Sequence, residues 1–305
     1  NLQKEVSQLQ SELNRIANTT TFNGKTLLDG SLSNAKFQVG HEADQTINVS
    51  VGDSRATNMG SNRVSLGASG GSYLAAKATE ANSITADATL TVAGALGTAE
   101  VGVTKGDSAR DIAAAVNLNA DSTGVEASAH TVAIIDTVSA AGAVTFDLFG
   151  QNEDDGVRVS AQLTDKADLT NLAKSINDVS GKTGVRAVLS GDKSQIMLEN
   201  NEGYDITVEN QATTGGTTFD LTMAEVSGDI ADEQDVFAAG SELGASVTVA
   251  VKGGFGTVAG NVEFDSSKSY TVESSGTVMA SAGAKASTLE DVGSIDISSQ
   301  EGANA

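Results

Sequence analysis

The 305-residue sequence contains no cysteine, no proline and no tryptophan, and it carries only two His, three Tyr and eight Phe. Without cysteine, neither a disulfide nor a thiolate metal site can form. That absence leaves the compartment open, because an extracellular protein without disulfides relies on packing or on assembly. No apolar run approaches the roughly 18 residues of a membrane span, and the first residues lack a signal-peptide pattern. Basic residues are scarce too, 18 against 40 acidic, for a net charge of −22. Nucleic-acid binding is therefore disfavoured, since its affinity comes mainly from neutralising phosphates. Acidity of this kind serves solubility more readily than it builds a site.

What is present is a repertoire of Ala, Val, Ile and Leu alternating with Thr, Ser and Asp, which suits many short strands around modest cores. The length fits roughly two domains. The sequence opens in mid-periodicity at Asn1 and reads as a piece of a longer chain. Leu2, Val6, Leu9, Leu13 and Ile16 recur at spacings of 4, 3, 4 and 3, the heptad period of a helix that buries one narrow seam. The intervening Gln3, Gln10, Glu12, Asn14 and Arg15 predict wet faces elsewhere. A surface helix and a coiled-coil strand both fit this pattern, and a helix so short needs a partner for its seam.

Directly behind it stands Thr-Thr-Thr-Phe-Asn-Gly-Lys-Thr-Leu-Leu-Asp-Gly, with Asn23-Gly24 as a strong hairpin signal and Asp29-Gly30 as a second turn. Short strands are expected over 25–28, 35–39 and 46–51, with a turn around 40–44. Over 57–72 the periodicity fades into Gly, Ser and Asn, which predicts a linker and a domain boundary. Alternating runs then dominate, interrupted by two helices. Ser108 and Asp111 imitate a capping box before Ile112, Ala115 and Val116. Asp168 precedes Leu169, Leu172, Ala173, Ile176 and Val179, with Gly181 as the expected stop. A gap-free shift of 60 superposes Ile112 on Leu172, Val116 on Ile176, Asn117 on Asn177, and Thr123-Gly124-Val125 on Thr183-Gly184-Val185. It also pairs Phe146 and Leu148 with Ile206 and Val208, so each copy reads as helix, turn and three strands. Near the end, Ser298 to Glu301 form a further capping box that announces a helix.

Chemistry is harder to find. His41-Glu42-Ala43-Asp44-Gln45 starts like a zinc-protease motif, but Gln45 replaces the second histidine and half the ligands are missing. Gly24-Lys25-Thr26 imitates the end of a phosphate loop whose opening glycine is Thr19 instead. His130 lies in an alternating run where nothing singles it out. Glu153, Asp154 and Asp155 form the densest acidic cluster and are the weak candidates for a calcium site, against the blander reading of a solvated turn. No catalytic, cofactor-binding or firm metal residue is expected.

The two ends together resemble bacterial flagellins. Leu-Gln-Ser-Glu-Leu-Asn-Arg-Ile, Thr-Phe-Asn-Gly, Leu-Leu-Asp-Gly, Phe-Gln-Val-Gly and Gln-Thr-Ile occur in the family's order over residues 1–55, and Ile-Ser-Ser-Gln-Glu-Gly-Ala-Asn is similar to the start of its C-terminal helix. The duplicated helices also resemble units inserted in the variable middle of flagellins. The resemblance implies a self-assembling, extracellular filament subunit on the bacterial surface, used for motility, with no cofactor, no catalytic step and no membrane insertion. It implies an α+β, mostly β fold: a partial helical or coiled-coil domain with a β-hairpin formed by both chain ends, and an inserted outer region of β-rich α+β units. The corresponding boundaries are 1–57 with 287–305 for the wall, 58–220 for an outer region with repeats near 85–150 and 160–210, and 221–286 for its remainder. Leu2, Val6, Leu9, Leu13 and Ile16 become the assembly seam. Glu12 is similar to part of a surface that a host innate receptor contacts. A surface module for glycans or divalent cations built on the same scaffold is the alternative.

Overall fold

A computed structural model describes residues 2–39, 45–67, 84, 86–138, 140–153, 155–211, 221–226, 243–249, 254–275 and 283–295. In chain order the elements begin with α1 (Leu2–Thr19), β1 (Thr21–Phe22), β2 (Lys25–Thr26), β3 (Ala35–Gln38), β4 (Thr46–Val49) and β5 (Gly60–Gly67). There follow β6 (Ala88–Ala93), β7 (Thr98–Val103), α2 (Ala109–Asn117), α3 (Ala120–Thr123), β8 (Glu126–Val138), β9 (Gly142–Phe149) and β10 (Val157–Leu163). Next are α4 (Thr170–Asn177), α5 (Ser180–Thr183), β11 (Arg186–Leu189), β12 (Ile196–Asn200) and β13 (Ile206–Asn210). The last are β14 (Leu221–Val226), β15 (Leu243–Val249), β16 (Phe255–Val258), β17 (Asn261–Ser266), β18 (Thr271–Ser274), β19 (Gly283–Ala286) and β20 (Thr288–Asp291). The protein is α+β and mostly β. Contacts divide it into a terminal unit, Asn1–Asn62 with Thr288–Ala305, and a central unit, Arg63–Ser287.

The central unit owns the core. One cluster gathers Leu90, Val92, Ile112, Val116, Phe264 and Tyr270; a second gathers Phe146, Leu148, Leu172, Ile176, Leu198 and Ile206. Each lies under one of the two helices whose 3.6-residue spacing was visible in the sequence. The expected capping box is present: Asp111 N–H donates to Ser108 Oγ at 3.4 Å, and Ser108 N–H donates to Asp111 Oδ2 at 3.0 Å.

The repeat is real in three dimensions, and one side chain explains why. Asn117 Nδ2 donates to Ala127 O at 2.7 Å and its Oδ1 accepts from Ala127 N–H at 2.7 Å; Asn177 makes the same two bonds with Ala187, both at 2.8 Å. The corner that follows also repeats. Gly124 and Gly184 both adopt left-handed φ, at 74° and 68°, and the preceding Thr123 and Thr183 each accept the next valine's N–H at 3.2 Å.

Three expectations need correction. The phase of the repeat is hairpin, helix, strand, because each helix is preceded by its own β-hairpin, β6–β7 or β9–β10. Gly94 and Gly150 open the two hairpin loops, and a Cβ at either would lie 2.0 Å or 2.2 Å from the carbonyl oxygen of Thr123 or Thr183. Those glycines are 56 residues apart rather than 60, since the second loop is longer, so a gap-free comparison slips there. Phe146 and Leu148 consequently match Leu90 and Val92, while Val208 is the cross-strand neighbour of Leu148. Second, the helix after Asp168 ends at Asn177, a short turn of helix follows, and the left-handed terminator is Gly184; no positive φ occurs at Gly181. Third, 60–67 is a strand, β5, with Asn62, Val64 and Leu66 buried on one face, where the sequence suggested a linker. Its Gly, Ser and Asn content hid a period-2 pattern.

Sheets in the central unit run β19-β18-β6-β7, β10-β9-β13-β16 and β11-β12-β8-β17-β5, with β14 on β8 and β15 on β14. The 13-residue β8 joins the halves: its first residues pair with β17 and its later ones with β12 and β14.

Candidate assembly surface

The terminal unit is built differently. Among the described residues its buried apolar side chains are Ala17 and Ala56, while it carries nine of the eleven large apolar side chains found exposed. Leu2, Leu9 and Ile16, seven residues apart on α1, are 67%, 70% and 43% exposed, and Val6 and Leu13 are half-buried. A heptad stripe left this open is an unfilled packing surface.

Besides the buried Ala17, polar bonds tie α1 to its own unit. Gln10 Nε2 donates to Val292 O at 2.7 Å, and Asn14 Oδ1 accepts from Ala56 N–H at 2.9 Å. Gln3 and Gln10 also reach Ile295 O, each at 3.4 Å. These amides stood at positions expected to be wet. Their signal was the seven-residue spacing of Gln3, Gln10 and Ala17, which a reading by hydrophobicity passes over. Glu12 and Arg15 lie on an exposed face and pair with each other, Arg15 Nε donating to Glu12 Oε2 at 2.7 Å. That pairing holds the Glu12 carboxyl below its usual range, chiefly through the hydrogen bond.

The turns after the helix are as tight as their sequence. Asn23 and Gly24 both have positive φ, 49° and 78°, as a type I′ turn requires, and β1 pairs with β2 through Thr21 and Thr26. The expected strand over 25–28 stops at Thr26 because Asp29 gathers the chain. Its carboxylate accepts the hydroxyls of Thr26 and Ser31 at 2.6 Å each, and Ser31 N–H at 3.0 Å. These bonds, the Ser31 hydroxyl first, lower its pKa to about 2. Gly30 is also left-handed, and Asp53 sits against it. Asp53 pairs with Arg55, accepts from Asn58, and is held well below the carboxylate range, chiefly by the Arg55 guanidinium. Beyond it, β3 pairs with β4 so that Phe37 faces Ile47, both about half exposed.

The remaining candidates are scattered. Gly24-Lys25-Thr26 lies in a hairpin and opens no helix. His130 is half-buried in β8 opposite Asn261. Glu153 and Asp155 lie in the β9–β10 loop, organised by Asn152, whose Oδ1 accepts from Gly150 N–H at 2.8 Å. Asp154, His41, Glu42, Asp44 and the Ser298 to Glu301 box lie outside the described residues. Among the described residues no cluster of three or more His, Asp or Glu could hold a metal ion, and no helix is long and apolar enough to cross a membrane.

Comparison with known proteins speaks to both units. Residues 1–33 match the bacterial flagellin N-terminal helical region, and residues 89–139 and 143–202 match the flagellin hook IN motif twice, in the hairpin-first phase of the structure. Over its first residues and its duplicated middle, the chain is similar to the bacterial flagellins. It is 28% identical to Flagellin A of Helicobacter pylori over 235 residues, 75% of this chain and 43% of that relative. Flagellin B of the same species is 28% identical over 243 residues, covering 74% and 44%. The B-type flagellin of Pseudomonas aeruginosa is 52% identical over 60 residues, 20% of this chain and 12% of that one. The chain thus spans less than half the length of the curated relatives it matches. A solved structure, the flagellar cap protein FliD from Helicobacter pylori, aligns at 12% identity over 74% of this chain and 83% of that chain, with a TM-score of 0.20, too low to speak for a shared fold.

Proposed function

We propose that this chain is part of a structural subunit of the bacterial flagellar filament, self-assembling, extracellular and used for motility, with no catalytic step. One observation carries the reading: among the described residues the terminal unit buries two alanines and leaves nine large apolar side chains exposed. Such a unit is completed by neighbouring copies, as obligate assemblies are. In this reading residues 1–57 with 287–305, both chain ends together, make the filament wall. Leu2, Val6, Leu9, Leu13 and Ile16 pack as a coiled-coil seam against partner helices. Residues 58–220, with the two repeats, and 221–286 form the surface-exposed variable region. The exposed Glu12 and Arg15 pair fits the remnant of a receptor-contact surface that the family resemblance implies.

The test is made in cells carrying the native flagellin gene with Leu9→Ser and Ile16→Ser. Negative-stain images are expected to show short or absent filaments while secreted subunit persists. Filaments of normal length would overturn the proposal. Circular dichroism of the purified variant guards against misreading a folding failure, because both side chains are exposed and their loss leaves the monomer intact.

A further inference from the structure

The duplication in the central unit provides an internal control for its sheet edges. In the second copy α4 lies along the edge strand β10 and closes it: Ser175 Oγ donates to Ser160 O at 3.0 Å, and Asn171 Nδ2 donates to Gln162 O at 3.1 Å. The residues 60 positions earlier are Ala115 and Asp111. Alanine has no donor, and Asp111 is occupied by the Ser108 cap. The first helix, α2, lies mainly against β8 instead.

Among the described residues, α2 and α3 touch β7, the edge strand of the first copy, but no side-chain donor closes its outer edge as Ser175 and Asn171 close β10. Its hairpin closes with Gly94 N–H donating to Gly97 O at 2.9 Å, which fixes the alternation along the ladder. Ala99, Val101 and Val103 turn their backbone groups to β6, while those of Thr98, Glu100 and Gly102 point away from it. All three outward residues are exposed, and a Cβ on Gly102 would meet nothing within 4 Å. A third difference falls in the hairpin loop that leads into this strand. Leu96 and Gln151 are equivalent, each giving its N–H to the corner threonine, Thr123 at 3.3 Å or Thr183 at 2.9 Å. The leucine is 71% exposed where the second copy has an amide. The second copy shows that the fold does not need an apolar side chain there.

An exposed strand edge of this kind accepts an added strand, with main-chain bonds giving affinity and alternate side chains giving choice. Charge decides what kind. On the outward face Glu100 stands opposite Thr91, and Thr91 opposite Glu273. The central unit carries 13 basic and 30 acidic residues, so a second copy would set acid against acid. We propose that the outer edge of β7 docks an extended, lysine- or arginine-bearing segment of another protein. This segment adds as a fifth strand with a basic side chain opposite Glu100 and an apolar one beside Leu96.

The probe is a synthetic (Lys-Val)4 peptide titrated into the whole chain, followed by calorimetry and by amide exchange in TROSY spectra. Binding is expected to protect the Glu100 and Gly102 amides and to weaken with salt. Glu100→Lys should weaken it about fivefold or more and shift preference to (Glu-Val)4. A peptide N-methylated at alternate residues should fail to bind, because the added strand needs its backbone donors. The proposal is overturned by absence of binding, by binding that leaves Glu100 and Gly102 unprotected, by indifference to Glu100→Lys, or by self-association that protects these amides without peptide. Glu100 is exposed, and an unchanged circular dichroism spectrum for its variant establishes that charge rather than folding was altered.

Discussion

Replacing Asn177 by Ala tests whether the duplicated asparagine is the clamp that sets each repeat. The side chain spans from the last residue of α4 to the backbone of Ala187 in β11, satisfying both its N–H and its C=O at 2.8 Å. Each bond contributes about 1 kcal/mol net, and each backbone group left stranded costs about 1–3 kcal/mol where water cannot replace the partner. Ala187 is 7% exposed, while Asn177 itself borders solvent, so water reaches the vacated site in part. The expected loss is therefore about 2–4 kcal/mol for the central unit. With a urea slope of about 3 kcal/mol per molar, the midpoint followed by far-ultraviolet circular dichroism should fall by roughly 1 M. Asn117→Ala should lose a similar amount, since its bonds to Ala127 are equivalent. Asn177→Asp, which keeps the acceptor and loses the donor, should fall between. Asn119→Ala removes a single bond to Ala115 O and should cost under about 1 kcal/mol. Losses below about 1 kcal/mol for both Asn117→Ala and Asn177→Ala would refute the clamp and leave the repeated asparagine without a structural role.

Two further outcomes concern the terminal unit. Gly24 has φ of 78° with nothing within 4 Å of a Cβ, so Gly24→Val pays only the backbone cost, about 1–2 kcal/mol. Amide exchange should quicken around β1 and β2 and stay unchanged in β9 and β10; equal quickening in both would contradict the assignment of this turn to the terminal unit. Asp29 has its pKa lowered from 3.8 to about 2, so its contribution is full above about pH 4 and is lost as pH falls through about 2. The Thr26 and Ser31 amide resonances should report that transition, and Asp29→Asn should remove it.

Legibility in the sequence followed the physics of each signal. The heptad seam, the Asn-Gly turn, the Ser108 cap and the register from Asn117 to Asn177 were readable because each is local and repeats at a fixed spacing. The strand β5 was not, since Ser61, Asn62 and Ser65 resemble loop composition although Val64 and Leu66 alternate correctly. The stop at Gly184 rather than Gly181 depends on which glycine takes the left-handed conformation, a choice made by the packing of Thr183 and Val185 that composition does not encode. The hairpin-first phase escaped because the loop after Gly150 is longer than the loop after Gly94, which breaks a gap-free register just where the second copy begins. On α1, the apolar heptad stripe was visible while Gln10 and Asn14 were not. Their partners, Val292 O and Ala56 N–H, are backbone groups 282 and 42 residues away.

The contrast between the units bears on how folding and assembly are coupled. The central unit has two apolar clusters, duplicated clamps and glycines in close backbone contact, all internal to the chain, so its stability does not depend on protein concentration. The terminal unit is knitted by polar bonds: Asp29 with Thr26 and Ser31, Asp53 with Arg55, Gln10 and Asn14 with backbone. Hydrogen bonds of this kind contribute about 1 kcal/mol each at most when solvent competes, too little to offset the entropy of ordering some eighty residues. In the proposed assembly its exposed apolar side chains are buried by neighbouring copies, each adding roughly 1.5–3 kcal/mol. Stability of the terminal unit should therefore rise with subunit concentration through mass action, while that of the central unit stays flat. In the proposed assembly the same polar bonds hold Leu2, Leu9 and Ile16 in place before a neighbouring copy docks, which lowers the ordering cost of association without supplying the stability that association provides.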